Sequence, residues 1–180
     1  DKNTALGYAA LQVNLSADSN TGVGYFALNA NTTGADNTAV GGEAGKAITT
    51  GCQNVFIGRE AGVTGTTADC NVVIGKSAMQ ELTTGNNNVA IGHSSLFENT
   101  TGAENTAVGG SALSNNTTGT RNVAVGFGAM LCNTTAADNT AVGRCAMKLN
   151  TTGTSNTAMA KDALVSVSYT HLTLPTIYSV

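Results

Sequence analysis

Asn105–Arg121 reads NTAVGGSALSNNTTGTR, and the same seventeen-residue unit recurs along the chain without an insertion or deletion. Its consensus is N-[TV]-A-[VIL]-G-x-x-A-[LM]-x-x-N-T-T-G-x-x. Ten copies begin at Asn3, Asn20, Asn37, Asn54, Asn71, Asn88, Asn105, Asn122, Asn139 and Asn156. Fixed self-similarity of this kind marks a solenoid, in which each unit buries its apolar face only against the next. The fold class read from it is all-β, a parallel β-solenoid or β-roll with one coil per seventeen residues. Position 4 is always apolar, from Leu6 and Val23 through Ile91 to Met159. Position 5 is Gly except at Ala160, position 8 is Ala except at Ser95, and position 9 is Leu or Met except at Gly45 and Gly62.

The charges sharpen this map. Every Asp, Glu, Lys and Arg falls at position 6, 7, 10, 11, 16 or 17 of its unit. Ionised side chains avoid burial, so the coil shows water three narrow edges and hides the segments between them. A helix would spread its polar residues at a 3.6 period and a long strand at a period of two. In positions 2–5, Thr or Val at 2 and the aliphatic at 4 point one way, and the small residues at 3 and 5 point the other. Neither face carries a charge, as in strands buried on both sides. One face fills the coil. The other needs a cover, and the expected cover is another copy of the chain. Gly at 5 and the Thr-Thr-Gly of 13–15 mark bends. Asn at 1, and often at 12, is expected to stack from coil to coil at the strand spacing of about 4.8 Å.

Composition agrees with a rod. The 180 residues are 4% aromatic and 11% charged, with 22 Gly and no Trp, so the aromatic anchors of a compact core are missing. Ten coils at about 4.8 Å each span about 45–50 Å. The net charge of −3, with signs mixed along the edges, offers no basic stripe to nucleic acid. No apolar run reaches membrane-spanning length. Residues 1–166 read as one solenoid domain whose ends are cut, since Asp1–Lys2 occupy positions 16 and 17 of a unit. The pattern stops at Ser166. Val167–Thr176 (VSYTHLTLPT) resembles the read-through translation of a transposon-based sequencing adapter, so 167–180, His171 included, are expected to be non-native.

No residue set for catalysis, a cofactor or a metal emerges. Cys52, Cys70, Cys132 and Cys145 fall at four different unit positions, with no CxxC spacing. A disulfide between Cys52 and Cys70 on successive coils is geometrically conceivable, and free thiols are the plainer reading. His93 stands alone at an edge. Sequons at Asn14, Asn31, Asn99, Asn115, Asn116, Asn133 and Asn150 include four that would stack one strand spacing apart, too tightly for a glycan on each, so a ladder is expected there instead. The segment V-G-x-x-A matches one hexad of the acyltransferase β-helix, which needs about three hexads per coil. Tyr8, Tyr25, Phe26 and Phe127 place aromatics at positions 6 and 7 and are the candidate surface contacts. Recurrent Thr pairs raise ice binding as the alternative function, although adjacent Thr residues of a strand face opposite ways.

The unit NTAVGGSALSNNTTG resembles repeats of bacterial and phage tail-fibre-domain proteins and, more loosely, the head repeats of trimeric autotransporter adhesins, over Asn3–Ser166. The resemblance implies a left-handed β-roll wound as a homotrimer. It also implies an extracellular place, on a cell surface or virion, and a structural and adhesive role in spacing or presenting a binding tip. A host receptor or glycan would be engaged through other parts of the fibre. Units three and four depart from the pattern, with Ile48 and Gly65 at position 12 beside Gly45 and Gly62 at position 9.

Overall fold

The computed structural model describes residues 2–166. Residues 167–180, which include the adapter-like stretch and His171, lie outside the described residues. Ten three-residue strands, β1 (Thr4–Leu6), β2 (Thr21–Val23), β3 (Thr38–Val40), β4 (Val55–Ile57), β5 (Val72–Ile74), β6 (Val89–Ile91), β7 (Thr106–Val108), β8 (Val123–Val125), β9 (Thr140–Val142) and β10 (Thr157–Met159), form one parallel sheet in chain order. Each pairs with the next in a constant register, Ala107 opposite Ala124 and Val108 opposite Val125 for example. The protein is an all-β solenoid with one coil per unit.

The strand residue at position 3 points inward. Ala39, Phe56, Val73, Ala90, Ala107, Ala124 and Ala141 are fully buried there. They meet the buried Ala of position 8 and the Leu or Met of position 9 from the opposite wall, such as Ala112 and Leu113. Small residues suffice because the coil is thin, and close packing then forbids a change in one wall without a matching change in another. Units three and four show this. Phe56 replaces the usual Ala at position 3, and a Cβ added at Gly45 would lie 2.8 Å from its ring. Gly62 abuts the same ring from the other side. Likewise Gly65 leaves room for Ile48 and Leu82, each 3.3 Å from where its Cβ would stand. The departures in the sequence are thus two compensated exchanges of volume between neighbouring coils.

Asparagine fixes the register. The backbone N–H of each position-1 Asn donates to the Oδ1 of the Asn one coil before, from Asn20 on Asn3 at 2.8 Å to Asn156 on Asn139 at 2.9 Å. Its Nδ2 donates to the carbonyl of position 15 in its own coil, as Asn105 does to Gly119 at 2.8 Å, tying the start of the coil to its end. From Asn37 to Asn139 these side chains are fully buried. A second ladder at position 12 runs Asn150 to Asn133 to Asn116 to Asn99, Nδ2 to Oδ1, at 2.7–3.2 Å. It breaks where Ile48 follows Asn31. Ile48 has no amide to offer, and Asn31 Oδ1 is the one buried side-chain polar atom without a partner among the described residues.

The bends are sharper than the glycine pattern announces. Among the described residues twenty-six that are not glycine have φ between +45° and +61°, and they recur at positions 7, 9 and 17: Glu43, Leu96 and Arg121 are examples. Left-handed backbone costs an L-residue about 1–2 kcal/mol, so other bonds must hold it. The position-9 amide donates to the next coil, Leu96 to Ala112 at 3.0 Å, while those of positions 7 and 17 donate to the previous one, Ser111 to His93 at 2.9 Å and Arg121 to Ala103 at 3.1 Å. Position 5 is stricter. Its glycines have φ between +128° and +138°, and a Cβ at Gly92 would lie 2.7 Å from the Gly109 carbonyl. Ala160, the exception, has no described coil beyond it. Gly92→Ala is expected to cost about 1–3 kcal/mol and lower the melting temperature, whereas Gly42→Ala, with nothing within 4 Å of its Cβ, should stay within about 0.5 kcal/mol of wild type. Urea titration of both proteins checks the contrast.

Candidate functional site

Three surfaces of this rod stand out. The first is the outer face of the sheet. With position 3 inside, positions 2 and 4 point out, and Val40, Ile57, Ile91 and Val123 are each 36–38% exposed. Through β4, β5 and β6 both outward residues are aliphatic: Val55 and Ile57, Val72 and Ile74, Val89 and Ile91. The strip has no charge in any coil. A face of β-branched side chains this long is uncommon on a monomer, and here it runs from β2 to β9.

The second surface is the aromatic edge. Tyr8 and Tyr25 occupy position 6 of successive coils and stack, with centroids 5.6 Å apart and planes at 16°. Phe26 packs edge-on against both, 4.5 Å from Tyr25. The Lys46 ammonium stands 5.3 Å above the Phe26 ring while pairing with Glu43 at 3.0 Å. Both tyrosines are well exposed and Phe26 is half-buried beneath them. The structure therefore brings three of the four candidate aromatics together. Phe127 stands apart and lies across the backbone of Gly110, whose added Cβ would be 3.3 Å from its ring.

The third is the threonine corner. From Thr32 to Thr134 the first Thr of each pair donates its hydroxyl to the position-13 carbonyl of the next coil, Thr83 to Thr100 at 2.8 Å and Thr117 to Thr134 at 3.1 Å for example. The second is exposed, as in Thr84, Thr101, Thr118 and Thr135. Thr-Thr forms a bend rather than a flat strand, and one hydroxyl per coil faces water.

The sequons divide by burial. Asn31, Asn99, Asn116, Asn133 and Asn150 are fully buried, with their amides inside the corner; Asn14 and Asn115 are half-buried. Among the described residues no three His, Cys, Asp or Glu side chains gather to hold a metal, and no helix is long and apolar enough to cross a membrane. All four cysteines are free. Cys52 Sγ turns to Asp69 Oδ1 at 3.3 Å and Cys70 Sγ to Gln53 Oε1 at 3.3 Å. Residues 52 and 70 are joined through the backbone, Cys70 N–H donating to the Cys52 carbonyl at 3.0 Å.

The charged edges differ in sign from column to column. Position 6 holds Arg59, Lys76, Arg144 and Lys161 with His93, and no acid. Positions 16 and 17 hold Asp18, Asp36, Asp69, Glu104 and Asp138, with Lys2 and Arg121 as the exceptions among the described residues. The bidentate Arg121–Asp138 pair, at 2.7 Å and 3.1 Å, holds the Asp138 carboxyl below its ordinary range. The signal was present in the sequence as register, residue by residue.

No protein-family model, curated protein or solved structure matches this chain.

Burial first, and then the Asp69 carboxylate that accepts from its Sγ–H, push the Cys52 thiol above its ordinary value. Alkylation requires the thiolate. At pH 8 iodoacetamide should therefore label exposed Cys70 before Cys52, and Asp69→Asn should speed labelling of Cys52 several-fold by removing the charge that opposes ionisation. Peptide mass spectrometry over a time course reads both rates, and equal rates in the two proteins would contradict the assignment.

Proposed function

We propose that this chain is a structural and adhesive segment of an extracellular fibre, on a cell surface or a virion, assembled as a homotrimer that spaces or presents a binding tip. The observation that carries the reading is the outer face of the sheet. Its position-4 file is apolar in all ten coils, position 2 adds Val in four of them and Thr in six, and no charge falls on either; water is a poor neighbour for such a file. Packing three copies with these faces at a common axis removes the strip from solvent and leaves the charged edges outside. The unbroken seventeen-residue register suits a rod of constant cross-section, and the thin Ala-rich core suits one that draws part of its stability from association. The repeat's resemblance to tail-fibre and trimeric-adhesin units points the same way. Receptor or glycan recognition belongs to other parts of such a fibre, and any contact made by this segment falls to the cluster of Tyr8, Tyr25 and Phe26.

The ice-binding alternative asks for a flat array of hydroxyls at least two files wide. The bend at positions 13 and 14 and the use of the position-13 hydroxyl in coil-to-coil bonds leave a single free file at that corner, and the Thr file of position 2 is interrupted by Val55, Val72, Val89 and Val123, so the fibre reading is the better supported.

Light scattering on residues 1–166 tests the assembly, with an expected mass three times that of one chain. Val108→Asp with Val125→Asp should return the mass to that of one chain while the β-sheet circular dichroism persists, because both side chains point out of their own coil. In the trimer each Asp would bury an unpaired carboxylate at a cost of several kcal/mol. A folded wild-type monomer, indifferent to both changes, would contradict the proposal.

A further inference from the structure

Position 6 forms a single file along the rod, one residue per coil, and the file begins Tyr8, Tyr25, Gly42, Arg59. The backbone keeps successive members in step. Phe26 N–H donates to the Tyr8 carbonyl, Glu43 N–H to Tyr25 and Glu60 N–H to Gly42, at 2.7–2.9 Å. Tyr8 and Tyr25 stack on each other, so the file opens as a column of parallel rings. At the third coil the column stops, because Gly42 has no side chain. A Cβ built there would meet nothing within 4 Å, so neither the Tyr25 ring, one coil before, nor the Arg59 side chain, one coil after, closes the space. The far face of Tyr25 is also clear of Phe26. That ring lies 5.6 Å from Tyr8 and 4.5 Å from Tyr25, and therefore flanks the pair instead of capping it.

The chain shows elsewhere what such a gap accepts. Gly110 is the other glycine of this file, and the ring of Phe127, from the next coil, lies across it, 3.3 Å from where a Cβ would stand. Gly42 is the same floor with no ring on it. Tyr25 and Arg59 stand two strand spacings apart, about 9.6 Å. One ring in van der Waals contact on both faces needs about 7–8 Å, so the slot holds one ring and not two.

We infer that the Gly42 slot binds one neutral pyranose ring of a glycan, stacked on the far face of Tyr25 and covered by Arg59. This names a ligand class for the aromatic edge; it rests on the reading of that edge as the contact surface of the segment, and not on the trimer. The rim decides the chemistry. Glu43 follows Gly42 and pairs with Lys46 at 3.0 Å, and Glu60 follows Arg59 and pairs with it at 2.8 Å. Two acids and two bases cancel, which favours a ring without charge. Each carboxylate keeps lone pairs beyond those its cation uses, and each cation keeps N–H groups, so the rim both accepts from and donates to hydroxyls. A pyranose presents that combination, with C–H groups over its face for Tyr25 and hydroxyls around its edge. A plain aromatic ring would stack as well, but it would displace water from the rim without replacing the hydrogen bonds. The wall is assembled in advance. Phe26 braces both tyrosines and the Lys46 ammonium sits 5.3 Å above Phe26, so little side-chain freedom is lost on binding.

Saturation-transfer NMR on the whole chain tests this, with the methyl pyranosides of glucose, galactose, mannose and N-acetylglucosamine as probes and phenol as the aromatic comparison. Saturation is expected to reach the ring C–H protons of at least one glycoside. Gly42→Tyr should abolish that transfer by placing the chain's own ring in the slot, as Phe127 does at Gly110. Gly42 lacks the positive φ of its neighbour Gly41, so the backbone accepts the side chain. Tyr25→Ser should weaken binding about fivefold, the worth of one aromatic stacking contact, whereas Phe127→Ser should leave it unchanged; melting curves confirm that each variant is folded. Transfer to none of the four glycosides, or transfer that survives Gly42→Tyr, overturns the proposal. Transfer to phenol alone overturns the sugar and gives the slot to an aromatic partner. Light scattering on the same samples reports the assembly separately. A trimer that binds no glycoside removes the glycan slot and leaves the fibre reading, and a monomer that binds one does the reverse.

Discussion

Nine backbone amides in succession donate to nine asparagine side chains, at 2.8–3.1 Å, and this ladder is the constraint on which the other features depend. Each Oδ1 takes a buried N–H that the strands cannot reach, and each Nδ2 takes a carbonyl of the Thr-Thr-Gly corner. Left unpaired, either group would cost about 1–3 kcal/mol. A unit one residue longer would move its Asn out of line and expose both penalties at once, which accounts for a repeat without insertions or deletions. The same register holds the left-handed residues at positions 7, 9 and 17. Their strain of about 1–2 kcal/mol each is offset only while neighbouring coils are aligned to accept and donate.

Much of this was written plainly in the chain. The invariant Asn, the uncharged run at positions 2–5 and the confinement of charge to a few positions led to stacked parallel coils before any coordinates. They also led to a strand with two uncharged faces, of which Ala107 and its equivalents prove to be the inner set and Val108 and its equivalents the outer. Other features left no local trace. Glu43, Leu96 and Arg121 adopt positive φ without being glycine or Asn, because the fold imposes it through coil-to-coil bonds. Gly45 and Gly62 were legible as departures, but Phe56, whose ring fills the space they leave, was not singled out, because the three residues come from two coils and meet only in space. The paired tyrosines and Phe26 were legible as aromatics on an edge, but their mutual packing under Lys46 was not.

A single rod of this kind is incomplete in a specific sense. Its interior is satisfied, with one orphaned carbonyl oxygen at Asn31 where Ile48 interrupts the second ladder. Its exterior is not, because the aliphatic residues of β4, β5 and β6 remain in water. The proposed assembly answers that imbalance with more copies of the same surface. In this account the structural role follows from the repeat, and adhesion is delegated to whatever the rod carries or to the small aromatic patch at Tyr8 and Tyr25.

Side-chain amide exchange, followed by NMR in deuterated buffer, tests the ladder most directly. The Nδ2 protons of Asn54, Asn71, Asn88, Asn105 and Asn122, which are buried and bonded on both sides, should exchange roughly a hundredfold or more slowly than those of exposed Asn87 and half-buried Asn115. They should also be released together on unfolding rather than one at a time. Uniform, rapid exchange of all asparagine side chains in the folded protein would mean that the ladder does not form and that the coils are held in register by something else.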